Sequence, residues 1–293
     1  MNFVLIYPNM KGYCNGALAS YVAAEAEQQG FNTFLVWDHY GLPIGPDTVD
    51  CWSLLSYVAG KTSAIKLGTC VTPIPFRPPA QLAKVVATLD VLSGGRVILG
   101  VGAGWHQPEF DSFSQWDPIK VRVDKTIEGV ELMIKLWTED VVNFQGQYYQ
   151  CTGDQTQISP KPVQKPYPPL WFGVKGERMM RLAAQYGDGW IPGLVTPREY
   201  QDGMDKLRAH RREMKIKKEM KGAIQIFNAP MDVLDPGGSV SYHNRCTDPK
   251  MYLKAVEDYA AAGCDYLGLV WSYPPDELLT RLRWFKKEVM AKV

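Results

Sequence analysis

The sequence predicts an α/β fold: a (β/α)8 TIM barrel, one domain over residues 1–293, with insertions after the fourth helix and the seventh strand. Three observations predict it. Short, near-continuous apolar runs alternate along the chain with helical stripes, as parallel strands covered on both faces do. Eight strand-then-helix units with right-handed crossovers close naturally on themselves. The length, 293 residues, suits an α/β barrel built as one domain. The competing architecture is an open doubly wound sheet. It is disfavoured because the one glycine-rich strand exit does not turn promptly into a helix.

The expected strands are Phe3–Tyr7, Thr33–Trp37, Lys66–Val71, Val97–Val101, Leu170–Gly173, Gly189–Ile191, Ala223–Phe227 and Tyr266–Val270. Between them lie helical stripes. Leu82, Val85, Val86 and Leu89 share one face, as do Tyr252, Val256, Tyr259 and Ala260, and then Leu278, Leu282, Phe285 and Val289. Thr247 and Asp248 before Pro249 read as a helix start. Gly30 and Gly263 read as residues just past helix ends. Two segments break the alternation. Residues 139–169 are Pro-rich, with a short hairpin suggested over Phe144–Tyr149. Residues 228–248 form a long polar loop around Pro236-Gly237-Gly238. Loops of this length in a compact fold are usually lids or insertions.

Composition excludes several functions. A net charge of +1 provides no field for nucleic acid or an anionic membrane. No nucleic-acid motif is present, and no apolar run reaches the roughly 18 residues of a membrane span. The chain starts directly on a strand with no basic leader, so a cytoplasmic location is expected. The six cysteines are scattered without a C-x-x-C pair, which argues against a disulfide framework and against a metal site. A basic run, Arg208, Arg211, Arg212, Lys215, Lys217, Lys218 and Lys221, falls at a helix C-terminus. There it complements the helix dipole as a solvated face.

In a barrel the chemistry gathers where strands end. The second strand ends in Trp37-Asp38-His39. Read locally, this is either an acid and an imidazole at the rim, or a capping Asp beside a solvated His. The third ends in Gly68-Thr69-Cys70-Val71-Thr72-Pro73, which read alone is a strand entering a Pro turn. The fourth carries Gly100, Gly102 and Gly104 in alternation. Bare positions there let a flat ring approach the backbone, or else serve tight packing. The fifth ends in Gly173-Val174-Lys175-Gly176 before a helix, which is either an anion site or an ordinary turn.

The block from Leu89 through Ser93-Gly94-Gly95-Arg96 to Gly104-Trp105 and Glu109 resembles the luciferase-like monooxygenase superfamily. So do Asp38-His39, Gly68–Thr72, the Lys161–Pro169 run and Ala184–Trp190. Within it the chain is most similar to the coenzyme F420-dependent oxidoreductases, which bind a deazaflavin. That resemblance implies Asp38 and His39 at the ring, with His39 in proton transfer. It implies a non-prolyl cis peptide at Cys70-Val71 supporting the ring from behind. With such a cofactor, the alternating glycines of the fourth strand put Gly102 and Gly104 under or beside the ring or its ribityl chain. The resemblance also implies Gly173, Val174, Lys175 and Gly176 at the phosphate. The sequence departs from the sugar-phosphate and alcohol dehydrogenases of that group. Trp105 stands where they carry an acid, and Pro43 stands near the place of a usual tryptophan. Glu109 is then the candidate catalytic acid, and neither substrate is carried over.

The expected function is F420-dependent hydride transfer to or from a small organic substrate. The alternatives are an FMN-dependent monooxygenase using oxygen, and a barrel that only holds flavin. A homodimer is the expected assembly, on the resemblance.

Overall fold

The computed structural model describes residues 1–41, 47–153, 157–228, 246–271 and 273–293. In chain order its strands are β1 (Asn2–Tyr7), β2 (Thr33–Val36), β3 (Lys66–Thr69), β4 (Thr72–Pro73), β5 (Val97–Gly102), β6 (Phe144–Gln145), β7 (Gln150–Cys151), β8 (Leu170–Phe172), β9 (Gly189–Trp190), β10 (Lys221–Phe227) and β11 (Tyr266–Val270). The helices are α1 (Gly16–Gln29), α2 (Cys51–Ala59), α3 (Pro79–Leu92), α4 (Gln107–Phe113), α5 (Ile119–Thr138), α6 (Glu177–Tyr186), α7 (Pro197–Glu213), α8 (Pro249–Ala261) and α9 (Leu278–Glu288).

The parallel strands run β1, β2, β3 with its continuation β4, β5, β8, β9, β10 and β11, and β11 pairs back onto β1. That closure makes an eight-stranded barrel and removes the open-sheet alternative. Side chains alternate along each strand. Val4 and Ile6 of β1 point into the barrel with Leu35, Ile98, Trp171 and Ile191. Phe3, Leu5 and Tyr7 pack outward under the helices.

Helix ends follow the expected chemistry. Asp248 accepts from the Lys250 and Met251 amides, with Pro249 at the first position of α8. Gly30 and Gly263 take φ values of 91° and 84° just past α1 and α8, where a side chain would be strained. The insertion before β8 contains the β6–β7 hairpin, as the sequence suggests. The insertion after β10 falls largely on residues 229–245, outside the described residues, as does Pro43.

Three expectations change. The third strand is not one run over Lys66–Val71. Leu67 and Gly68 pair with Val97 and Ile98, then Thr72 and Pro73 pair with Val101 and Gly102. Thr69, Cys70 and Val71 therefore oppose only Leu99 and Gly100, a β-bulge. The glycine-rich exit of β5 does lead into a helix, since α4 begins at Gln107. The barrel is decided instead by the β1–β11 pairing. The basic run is only partly solvated: Arg211 is 5 % exposed and gives Nη1 to the Gly187 carbonyl at 2.9 Å.

The N-terminal end of the barrel is tied by buried polar groups. Arg96, 7 % exposed, donates to the carbonyls of Ser93, Ala59, Thr62 and Ile65 and to the Thr62 hydroxyl. Asp90 accepts from both the backbone and the side-chain amide of Gln164, at 2.9 and 2.7 Å. Glu27 accepts from the Ser63, Ala64 and Ile65 amides and the Ser63 hydroxyl. The Arg96 and Asp90 bonds satisfy backbone groups that burial keeps from water, whereas the Glu27 bonds tie an exposed loop down at its Ser63 and Ala64 amides.

Candidate active site

A cavity of about 580 Å³ opens at the C-terminal ends of the strands. Trp37 and His39 enter it from the end of β2, Cys70 and Val71 from the bulge, and Gly102, Gly104 and Trp105 from the exit of β5. The Gly173–Gly176 turn forms a further wall, with Gln225 and Phe227 of β10 opposite. Its volume is that of an ordinary small-molecule or cofactor site.

The Cys70–Val71 peptide is cis. Three glycines on two neighbouring strands receive the Val71 side chain. A Cβ at Gly102 would lie 2.6 Å from Val71 Cγ2, one at Gly173 2.9 Å from Cγ1, and one at Gly100 3.1 Å from Cγ1. Gly104 takes φ 82°, and a Cβ there would collide with the Phe110 ring. Gly102 and Gly104 border the cavity, and the close packing beside them serves the second of the two local readings. The freed space at Gly102 is filled by Val71 and that at Gly104 by Phe110, so Val71 itself is the surface presented to the cavity. Burial pushes the Cys70 thiol up to about 12. A thiol so far from ionising is a poor nucleophile.

His39 is held from behind. Its Nδ1 lies 2.8 Å from Glu109 Oε2, and the other carboxylate oxygen accepts from the Gly41 amide at 3.0 Å and from the Tyr40 amide. The Glu109 side chain is wholly buried while His39 is 14 % exposed. Burial pushes the Glu109 carboxyl up, but the His39 contact and the two amides outweigh it, and its pKa falls below the ordinary value. An ionised Glu109 accepts the Nδ1 proton, which leaves Nε2 as the nitrogen free to exchange a proton. The Trp105 ring stands edge-on to the imidazole, with centroids 6.0 Å apart.

Asp38 faces away from this cavity. Its two oxygens take Arg77 Nη1 and Nη2 at 2.6 and 2.7 Å, a bidentate pair, and it is 2 % exposed. At the opposite wall Lys175 gives Nζ to the Leu194 carbonyl at 3.3 Å, and burial lowers its pKa. Gly176 caps α6, and a Cβ there would meet nothing within 4 Å. Backbone amides at a helix start beside an exposed cation suit an anion.

The family model for luciferase-like monooxygenases matches residues 18–229. The chain belongs to that family. Two curated relatives of this luciferase-like chain are the F420-dependent glucose-6-phosphate dehydrogenase of Segniliparus rotundus and the 5,10-methylenetetrahydromethanopterin reductase of Archaeoglobus fulgidus. The first is 38 % identical over 178 residues, 59 % of this chain and 52 % of that protein. The second is 30 % identical over 204 residues, 69 % of this chain and 55 % of that protein. The chain thus spans about half the length of these relatives. Among solved structures, an F420-dependent secondary alcohol dehydrogenase in complex with an F420–acetone adduct matches with TM-score 0.83 at 24 % identity, over 99 % of this chain and 98 % of that one. A long-chain alkane monooxygenase matches with TM-score 0.81 at 14 % identity, over 100 % and 90 %. These structural likenesses show the same barrel fold.

Of the residues singled out in the sequence, His39, Cys70, Val71, Gly102, Gly104, Gly173, Val174, Lys175 and Gly176 all border the one cavity. Asp38 and Glu109 do not; each stands one layer behind, paired to Arg77 and His39. The Glu109 side chain is buried behind His39 and does not reach the cavity wall. Sequence reasoning missed Arg77, Trp37, Gln225 and Phe227. Gln225 was legible: it shares the inward face of β10 with Ala223 and Phe227, a polar residue on an apolar face. Arg77 had no local signal, because only the buried Asp38 calls for it.

Among the described residues no helix is long and apolar enough to cross a membrane. Among the same residues no group of three or more His, Cys, Asp or Glu side chains is placed to hold a metal.

Proposed function

We propose that the chain is an F420-dependent oxidoreductase that moves hydride to or from a small organic substrate. The observation that carries this reading is the arrangement around one cavity: the Val71 bulge as a supporting surface, His39 fixed through Nδ1 with Nε2 left over, and the Lys175–Gly176 turn at α6. The F420-dependent relatives support it further.

The residues present fit such a group. Val71, raised out of the barrel between three glycines, backs a flat ring. The amides at Gly176 and the Lys175 ammonium take its phosphate, where a missing side chain leaves room. Bound there, the deazaflavin supplies two-electron hydride chemistry. The chain's own part is to orient, to shield and to move a proton. Val71, Ile191 and Phe227 exclude water from the inner half of the cavity. His39 Nε2 gives a proton to, or takes one from, the substrate oxygen, while Glu109 fixes the tautomer. Arg77 and Asp38 pin the backbone that carries His39.

The test is titration of purified protein with F420 and with FMN, followed by an oxygen-consumption assay. Saturable F420 binding and substrate turnover without oxygen uptake support the reading. FMN binding with oxygen uptake would replace it with the monooxygenase alternative. A homodimer, a cytoplasmic location and a single domain over residues 1–293 are part of the same proposal; sedimentation tests the first and limited proteolysis the last.

A further inference from the structure

We infer that the substrate is an uncharged, ring-sized, mainly apolar carbonyl or alcohol compound, seated against Trp105 with its oxygen toward His39. This rests on the reading above in one respect: the anion site at Lys175 is taken by the cofactor phosphate. Charge bookkeeping of the walls comes first. Among the described residues the cavity is lined by one permanent cation, Lys175, and by no carboxylate. Asp38 and Glu109, behind the His39 wall, are turned away and satisfied by Arg77, His39 and backbone amides, and Glu199, which acts on Lys175 from the start of α7, is taken up by the Thr196 amide and hydroxyl. A phosphorylated substrate would need a second cation, and an ammonium substrate a carboxylate. Leaving either charge unpaired in a half-buried site is costly.

Apart from His39 and Gln225, the remaining side chains of the wall are mainly apolar. Trp105 is 52 % exposed and Ile119 61 % exposed, yet both border the cavity mouth. Val123 and Met179 continue that surface inward. Large side chains left half in water at the rim of a cavity gain when a flat apolar ligand covers them. Trp105 also stands beside the imidazole, 6.0 Å between centroids and nearly perpendicular to it. A ring lying on Trp105 therefore has its oxygen substituent within the reach of His39. Trp105 is then the specificity-determining residue of this site.

Three probes of one ring size and different charge test this: acetophenone, phenyl phosphate and benzylamine. Each is titrated calorimetrically into the protein saturated with oxidised F420, and acetophenone and benzylamine also into the protein without it. The expected result is that acetophenone binds at least about ten-fold more tightly than benzylamine in both forms, and than phenyl phosphate in the loaded form. Trp105→Ala weakens acetophenone about ten-fold or more, and Trp105→Phe restores most of the loss. Benzylamine, or phenyl phosphate on the loaded protein, binding as tightly as acetophenone would overturn the inference. So would an acetophenone affinity indifferent to Trp105→Ala. Failure of F420 itself to bind counts against the proposed function, whereas the acetophenone and Trp105 results on the unloaded protein still decide this inference.

Discussion

At the N-terminal end of the barrel Arg96 spends its guanidinium on five acceptors, four of them carbonyls. At the C-terminal end His39 gives one ring nitrogen to Glu109 and turns its imidazole to the cavity. Both side chains are held by several contacts, but only the second keeps a group in reserve. Asp90 and Glu27 belong with Arg96, since they are consumed by loop amides. Lys175 belongs with His39, an exposed cation at the cavity rim that makes a long bond to the Leu194 carbonyl. The difference teaches which polar groups carry stability and which are available for chemistry. A barrel separates the two by end.

The separation breaks first, and most visibly, at His39. His39→Ala is expected to lower the chemical rate by about 10²–10⁴-fold, the range for a positioned acid or base, with little change in the urea midpoint. A rate within a few-fold of the parent, with a substrate it turns over, would put His39 with the structural groups. Arg96→Met is the mirror case. It orphans several buried carbonyls and should cost on the order of 3 kcal/mol or more of unfolding free energy, while the folded fraction keeps its turnover number. An equal loss of turnover in folded protein would erase the distinction between the ends.

Glu109→Gln sharpens the comparison, because Glu109 is buried like Arg96 but serves His39. A neutral amide no longer compels the Nδ1-protonated form. The rate should fall about 10–100-fold, as for loss of a supporting partner, and the fall should appear in kcat with little change in KM for a substrate. An unchanged kcat in folded protein would make Glu109 merely structural.

The smallest effect is expected at Glu27. Burial pushes its carboxyl up, but the Ile65, Ala64 and Ser63 amides and the Ser63 hydroxyl outweigh this and hold it at about 2, against an ordinary 4.5. A carboxyl with a lowered folded pKa stabilises fully above its unfolded value and loses that contribution as pH falls through the folded one. The advantage of the parent over Glu27→Gln in urea unfolding should therefore be constant above pH about 4.5 and fade toward pH about 2. A difference that does not vary with pH would contradict that account.

The same two ends explain what the sequence made legible. Periodicity located every barrel strand, because strands buried on both faces are written as apolar runs. It also located the α8 start, since Asp248-Pro249 is a local signal. The resemblance rested in part on the Leu89–Arg96 block and the Lys161–Pro169 run, whose Asp90, Arg96 and Gln164 the structure places at the N-terminal end as scaffold. Motifs that identify this family are thus partly motifs of its stability. The bulge at Cys70–Val71 left no trace in periodicity, since a one-residue offset only becomes visible against the partner strand. The pairing of Asp38 with Arg77 spans 39 positions and that of His39 with Glu109 spans 70, beyond any local pattern. The β5 glycines were visible, but the side chain that needs them, Val71, comes from another strand.

The central claim is that this cavity holds the deazaflavin with its phosphate on the α6 turn and its ring between Val71 and His39. A crystal structure of the protein grown with F420 tests it most directly. The account predicts the phosphate within hydrogen-bond distance of the Gly176 and Glu177 amides, with Lys175 Nζ released from Leu194 toward it, and Val71 in contact with one face of the ring. A phosphate seated on a different βα loop, or a ring outside the reach of His39, would contradict it.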